Sequence, residues 1–117
     1  METARERLVD MVDALRRPMI GAVTELGVPD LLANGPRDAD ELASETGAHP
    51  EPLRRVLRAL AAYGVFEELP DGRYGLNEVS ELLRKDLPGT MHYLVRFRSA
   101  PWFSQGPAHM VHTLKTG

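Results

Sequence analysis

The sequence has 117 residues, 43% of them hydrophobic, no cysteine and a formal net charge of −3 at pH 7. That length suits one small domain with a core of its own, and the missing thiols exclude a disulfide framework or a cysteine-based zinc or redox centre. The N-terminal stretch METARERLVDMVDALRR is charged rather than a secretion core, no run approaches the ~20 apolar residues of a membrane span, and the acidic balance disfavours non-specific binding to nucleic acid or membrane, so a cytoplasmic chain is expected.

In chain order, Leu8, Met11, Val12 and Leu15 recur at helical spacing, and Met19, Ile20 and Val23 continue the stripe beyond Pro18. Proline lacks an N–H, so Pro18 predicts a kink or the first turn of a second helix. The stripe is wider than the chain's own core needs. It therefore predicts a two-fold interface with a second copy through Leu8, Met11, Val12, Leu15, Met19 and Ile20. Gly27 marks a helix stop, Val28 to Ala33 a short helical turn and Asn34-Gly35-Pro36 a turn.

Asp38 with Glu41 three residues on forms an N-cap pattern for a helix that Gly47 ends. His49-Pro50 restarts the chain into a helix with Leu53, Val56, Leu57, Leu60 and Ala61 on one face and Arg54, Arg55 and Arg58 on another, closed by Gly64. Val65 to Leu69 and Arg73 to Leu76 predict two short strands about the turn Pro70-Asp71-Gly72. Asn77 predicts the cap of a helix through Leu83, Pro88 and Gly89 interrupt, TMHYLVRF predicts another helix, and a last one is expected from about Ser104 to Leu114.

Helix, turn, arginine-bearing helix and hairpin is an order in which repressors read DNA, and arginine can contact guanine bidentately. The charges point the other way. Residues 37–48 carry a net −3 and the wing, residues 65–76, a net −2, against +2 on residues 49–64 and +4 on residues 84–117. Asp38, Asp40, Glu41 and Glu45, with Glu67, Glu68 and Asp71 of the wing, would repel phosphates and oppose counterion release. No specific nucleic acid is expected, and a winged-helix DNA-binding regulator stands as the alternative.

His109 and His112 are three residues apart and His92 could approach from a neighbouring helix. A zinc site needs three or four ligands, so no metal is expected. There is no G-x-S-x-G, no P-loop and no G-x-G-x-x-G after a strand, nor the parallel βαβ units that cradle a nucleotide cofactor. No catalytic or cofactor-binding residue is therefore expected. Phe97, Trp102 and Phe103 fall within seven residues of one another, beside His109 and Met110. Such density suits the wall of an aromatic-ligand pocket, with closure of the domain's own core as the competing role.

The runs ELGVPDLL, ADELA, LRRVLRALAAYGVFEE and GRYGLN, in that order, resemble the N-terminal dimerisation region of S-adenosylmethionine-dependent O-methyltransferases of the plant phenolic and bacterial polyketide-tailoring type. The resemblance implies a mainly α, winged-helix-like domain with one short β-hairpin. It implies dimerisation helices over residues 1–34, a winged-helix core over 37–77 and C-terminal helices over 78–117, leading to a catalytic domain that would begin about where the sequence ends. The expected role is the dimerisation and partial substrate-pocket module of such an enzyme, truncated or stand-alone and not catalytic by itself. It would form a homodimer or pair with a methyltransferase subunit in secondary metabolism, S-adenosylmethionine being bound only in the complete enzyme.

Overall fold

The computed structural model of the chain describes residues 3–5, 8, 16–99 and 114–115. Helix α1 (Arg16–Leu26) contains Pro18. Of the helix expected ahead of it, Ala4, Arg5 and Leu8 are helical, while residues 9–15 lie outside the described residues. Gly27, at φ +80°, turns the chain out of α1 into α2 (Val28–Leu31), and a 3₁₀ turn, Leu32–Asn34, follows. A side chain at that φ would be strained, which is why glycine sits there.

Helix α3 (Ala39–Thr46) opens on the capping box read from the sequence. Asp38 Oδ1 accepts from the Glu41 backbone N–H at 2.8 Å, and Glu41 Oε1 accepts from the Asp38 N–H at 3.4 Å. Helix α4 (Pro50–Ala62) starts with proline in its first turn, where the missing N–H has no intrahelical acceptor to lose. Strands β1 (Phe66–Glu68) and β2 (Tyr74–Leu76) pair antiparallel with Phe66 opposite Leu76 and Glu68 opposite Tyr74. Each is shorter than the sequence predicted. Val65 is taken up in closing α4, donating to Leu60 O at 2.9 Å, and Leu69 closes the turn by donating to Arg73 O at 2.8 Å.

The hairpin is not alone. Arg37 exchanges two backbone bonds with Tyr74, at 3.0 and 2.8 Å, and so stitches the wing to the segment ahead of α3. Sequence periodicity gave no sign of this, because one bridging residue has no alternation to detect. Helix α5 (Glu78–Glu81) is capped by Asn77 and stops short of Leu83, since the Leu82 carbonyl accepts from Met91 N–H at 2.7 Å and from Thr90 Oγ1 at 3.2 Å. Helix α6 (His92–Ser99) then returns across α1.

Leu42 of α3, Leu53, Leu57 and Leu60 of α4, Val23 of α1 and Val28 of α2 meet Phe66 and Tyr74 of the wing in one buried cluster. The apolar side of α4 supplies its centre at the helical spacing the sequence shows, and each fully buried leucine contributes about 1.5–3 kcal/mol by leaving water. Glycine lets α1 and α6 approach closely: a Cβ on Gly21 would run into Ser99 Cβ.

Candidate functional site

The arginine face of α4 is occupied by carboxylates of its own chain. Arg54 pairs with Glu51 at 2.6 Å and Asp40 at 3.4 Å, Arg55 with Glu51 at 3.7 Å and Arg58 with Glu68 at 3.4 Å. Ahead of α3, Arg37 pairs with Glu45 at 2.6 Å. Exposed pairs of this kind stabilise by about 0–1 kcal/mol each. Their larger effect is on the field, because every guanidinium of the would-be reading helix has an anion beside it. In the wing Asp71 sits 2.6 Å from Arg73, whose backbone N–H and then guanidinium hold the carboxyl below its usual range.

Tyr74 is buried, and its hydroxyl lies 3.3 Å from Glu68 Oε1. Burial first, then the Glu68 carboxylate, push the phenol up, with Arg58 opposing. Behind α5, Asp30 accepts from the Lys85 backbone N–H at 2.9 Å, and Arg84 grips Asp86 at 2.8 Å, which lowers the Asp86 carboxyl. The Asp30 bond fastens the segment between α5 and α6 to α2, while the Arg84–Asp86 pair holds that segment's own turn.

His92 is fully buried, its Nδ1 3.3 Å from Leu83 O and its ring edge-on to Tyr93. The Nδ1 contact ties the start of α6 to the turn after α5, while Nε2 is buried without a hydrogen-bond partner among the described residues. His109 and His112 lie outside the described residues, and among the described residues no three metal-ligating side chains come together.

Beyond His92, α6 presents apolar side chains to solvent: Tyr93 is 66% exposed, Leu94 41% and Phe97 51%. Phe97 is the one candidate of the aromatic tail that is described, since Trp102, Phe103, His109 and Met110 lie outside. Of the N-terminal stripe, Leu8 is 60% exposed, whereas Met19 and Ile20 pack partly against the chain's own core. Met11, Val12 and Leu15 are outside the described residues.

Between α1 and α6 lies an open cleft of about 350 Å³. Ile20, Met91, Leu94, Val95 and Ser99 line it together with Arg16, Arg17 and Arg98. Arg16 lies over the Tyr63 ring, 3.9 Å from its centroid. Sequence reasoning missed this cleft. The available signals were Gly21 in the middle of an amphipathic helix and the basic excess after residue 83.

Residues 9–86 match the family described as the O-methyltransferase dimerisation domain. The chain belongs to that family. The mitomycin biosynthesis 6-O-methyltransferase of Streptomyces lavendulae is 40% identical over 116 residues, covering 97% of this chain and 33% of the relative. In the crystal structure of N,N-8-amino-8-demethyl-D-riboflavin dimethyltransferase from Streptomyces davawensis the fold recurs with a TM-score of 0.82 and 36% identity, over 99% of this chain and 35% of that one. A calicheamicin-biosynthesis methyltransferase, CalO1, solved in its SAH-bound form, matches with a TM-score of 0.75 and 33% identity over 89% of this chain and 32% of that one. The chain thus spans about a third of the length of each of these relatives. Among the described residues no helix is long and apolar enough to cross a membrane.

Proposed function

We propose that the chain is a self-associating module of a bacterial natural-product O-methyltransferase, cytoplasmic, forming a homodimer and presenting part of an aromatic substrate wall. The observation that carries this reading is the match of residues 9–86 to the dimerisation domain. Exposed Leu8 and the exposed row Tyr93, Leu94 and Phe97 support it, because they leave apolar surface outside the chain's core. In this reading the dimer forms through Leu8, Met11, Val12, Leu15, Met19 and Ile20. The wall is built from Phe97 with Trp102, Phe103, His109 and Met110. S-adenosylmethionine binding and methyl transfer belong to the remainder of a full-length family enzyme, and these residues supply neither by themselves. The same module could serve a separate catalytic subunit as well as a second copy.

Leu8→Asp tests the interface without touching the core. The expected result in light scattering is loss of the dimer with the helical circular-dichroism spectrum retained. An unchanged dimer in this variant and in Leu15→Asp would remove the stripe from the account. Calorimetry with S-adenosylmethionine is expected to show no saturable heat, and micromolar binding would contradict the assignment of cofactor chemistry elsewhere.

A further inference from the structure

We propose that Asn34-Gly35 is a modification site, at which a spontaneous deamidation needing only water converts Asn34 to aspartate and isoaspartate in the folded chain. The 3₁₀ turn Leu32–Asn34 ends on this pair, with Asn34 exposed and Gly35 at φ +135° and ψ 168°. Glycine suits that backbone, and it leaves the amide nitrogen unshielded by a Cβ. Among the described residues the Asn34 side chain makes no hydrogen bond. The Gly35 N–H donates to Leu32 O at 3.1 Å, the closing bond of one surface turn, which opens without the core. In the open turn hydroxide takes the Gly35 amide proton and the nitrogen attacks Asn34 Cγ. The N–Cγ bond forms, the Cγ–Nδ2 bond breaks and ammonia leaves, taking its third proton from water. A second water then opens the cyclic succinimide at either carbonyl.

The chain's other asparagine is protected. Asn77 Oδ1 accepts from the Val79 and Ser80 N–H groups at 2.9 and 3.1 Å, its Nδ2 donates to Gly64 O at 2.9 Å, and Glu78 rather than glycine follows it. Asp71-Gly72 carries a carboxylate, a weaker electrophile than an amide, and Arg73 holds it at 2.6 Å. The place of Asn34 in the fold gives its conversion a consequence. On one side Leu32 is buried in the core. On the other, Arg37 exchanges its two backbone bonds with Tyr74, and a Cβ on Gly75 would meet Pro36 Cγ at 3.6 Å. Isoaspartate routes the main chain through Cβ and so lengthens the link between these two anchors by one atom, whereas aspartate leaves the backbone as it is. Isoaspartate therefore loosens the stitch that holds the wing.

The test is incubation of the 117-residue chain at mildly alkaline pH, natively and in guanidinium chloride, followed over time by peptide mapping with mass spectrometry and chromatographic separation of the two products. Conversion at Asn34 is expected in the native chain at no less than about one tenth of its rate in denaturant, the protection that one exposed hydrogen bond gives. A reaction that required global unfolding would be slower by about 10³-fold or more. Asn34→Gln should remove the conversion, and Gly35→Ala should slow it in denaturant, where the fold plays no part. Amide exchange at Arg37 and Tyr74 should quicken in the isoaspartate fraction and stay unchanged in Asn34→Asp. Native conversion more than about a hundredfold slower than in denaturant, Asn77 converting first, or unaltered exchange at both amides in the isoaspartate fraction would each overturn the proposal.

Discussion

Tyr74 shows how one side chain links the wing to pH. Its phenol is buried beside Glu68, and both burial and that carboxylate favour the neutral form. A group whose value is raised on folding stabilises fully below its unfolded value, about 10 for tyrosine, and that contribution is lost as pH rises through the folded value. Denaturant unfolding at rising pH should therefore show stability falling above about pH 10 more steeply in the native chain than in Tyr74→Phe. Identical profiles would mean that the phenol is not held neutral. Gly21 is the second such position. Alanine there gains about 1 kcal/mol in helix propensity but must displace Ser99. Overpacking costs about 1–3 kcal/mol, so Gly21→Ala should destabilise on balance, and pairing it with Ser99→Gly should recover most of the loss.

Helix α3 was legible in full because its stop and start are local chemistry: Asp38, Glu41 and Gly47 act within a few residues of the chain. Removing that cap with Asp38→Ala should cost about 1 kcal/mol in thermal unfolding. The same locality made α4 readable, from Pro50 through the leucine row to the left-handed Gly64 at φ +83°. What the sequence did not show depends on distant partners. The bridge from Arg37 to Tyr74 and the ion pair from Arg58 to Glu68 join segments that only the folded wing brings together. The inward placement of His92 also escaped, because its partner, Leu83 O, lies in a turn where a longer helix was expected. For the arginine face the sequence supplied the charges but not the pairing. Replacing Arg54, Arg55 and Arg58 together by alanine should change stability by less than about 3 kcal/mol. It should also leave retention on a heparin column or on palindromic DNA at physiological salt unaltered, whereas a marked loss of DNA retention would revive the regulator reading.

At the scale of the whole molecule, the core of the described residues is closed by α3, α4 and the wing, while Leu8 and the outer side of α6 remain apolar and exposed. A domain that buries its centre yet leaves these faces in water is suited to completing itself against another surface. Membership of a dimerisation-domain family makes a second copy the first surface to consider. Full-length relatives about three times as long supply a second candidate, their own remaining domain. Sedimentation equilibrium of the chain over a concentration series around 10 micromolar, about the scale at which a specific protein pair associates, separates these directly. The account predicts a species of twice 13.0 kDa that dissociates reversibly on dilution and is shifted toward monomer by Leu8→Asp. A single species of 13.0 kDa at every concentration would contradict it.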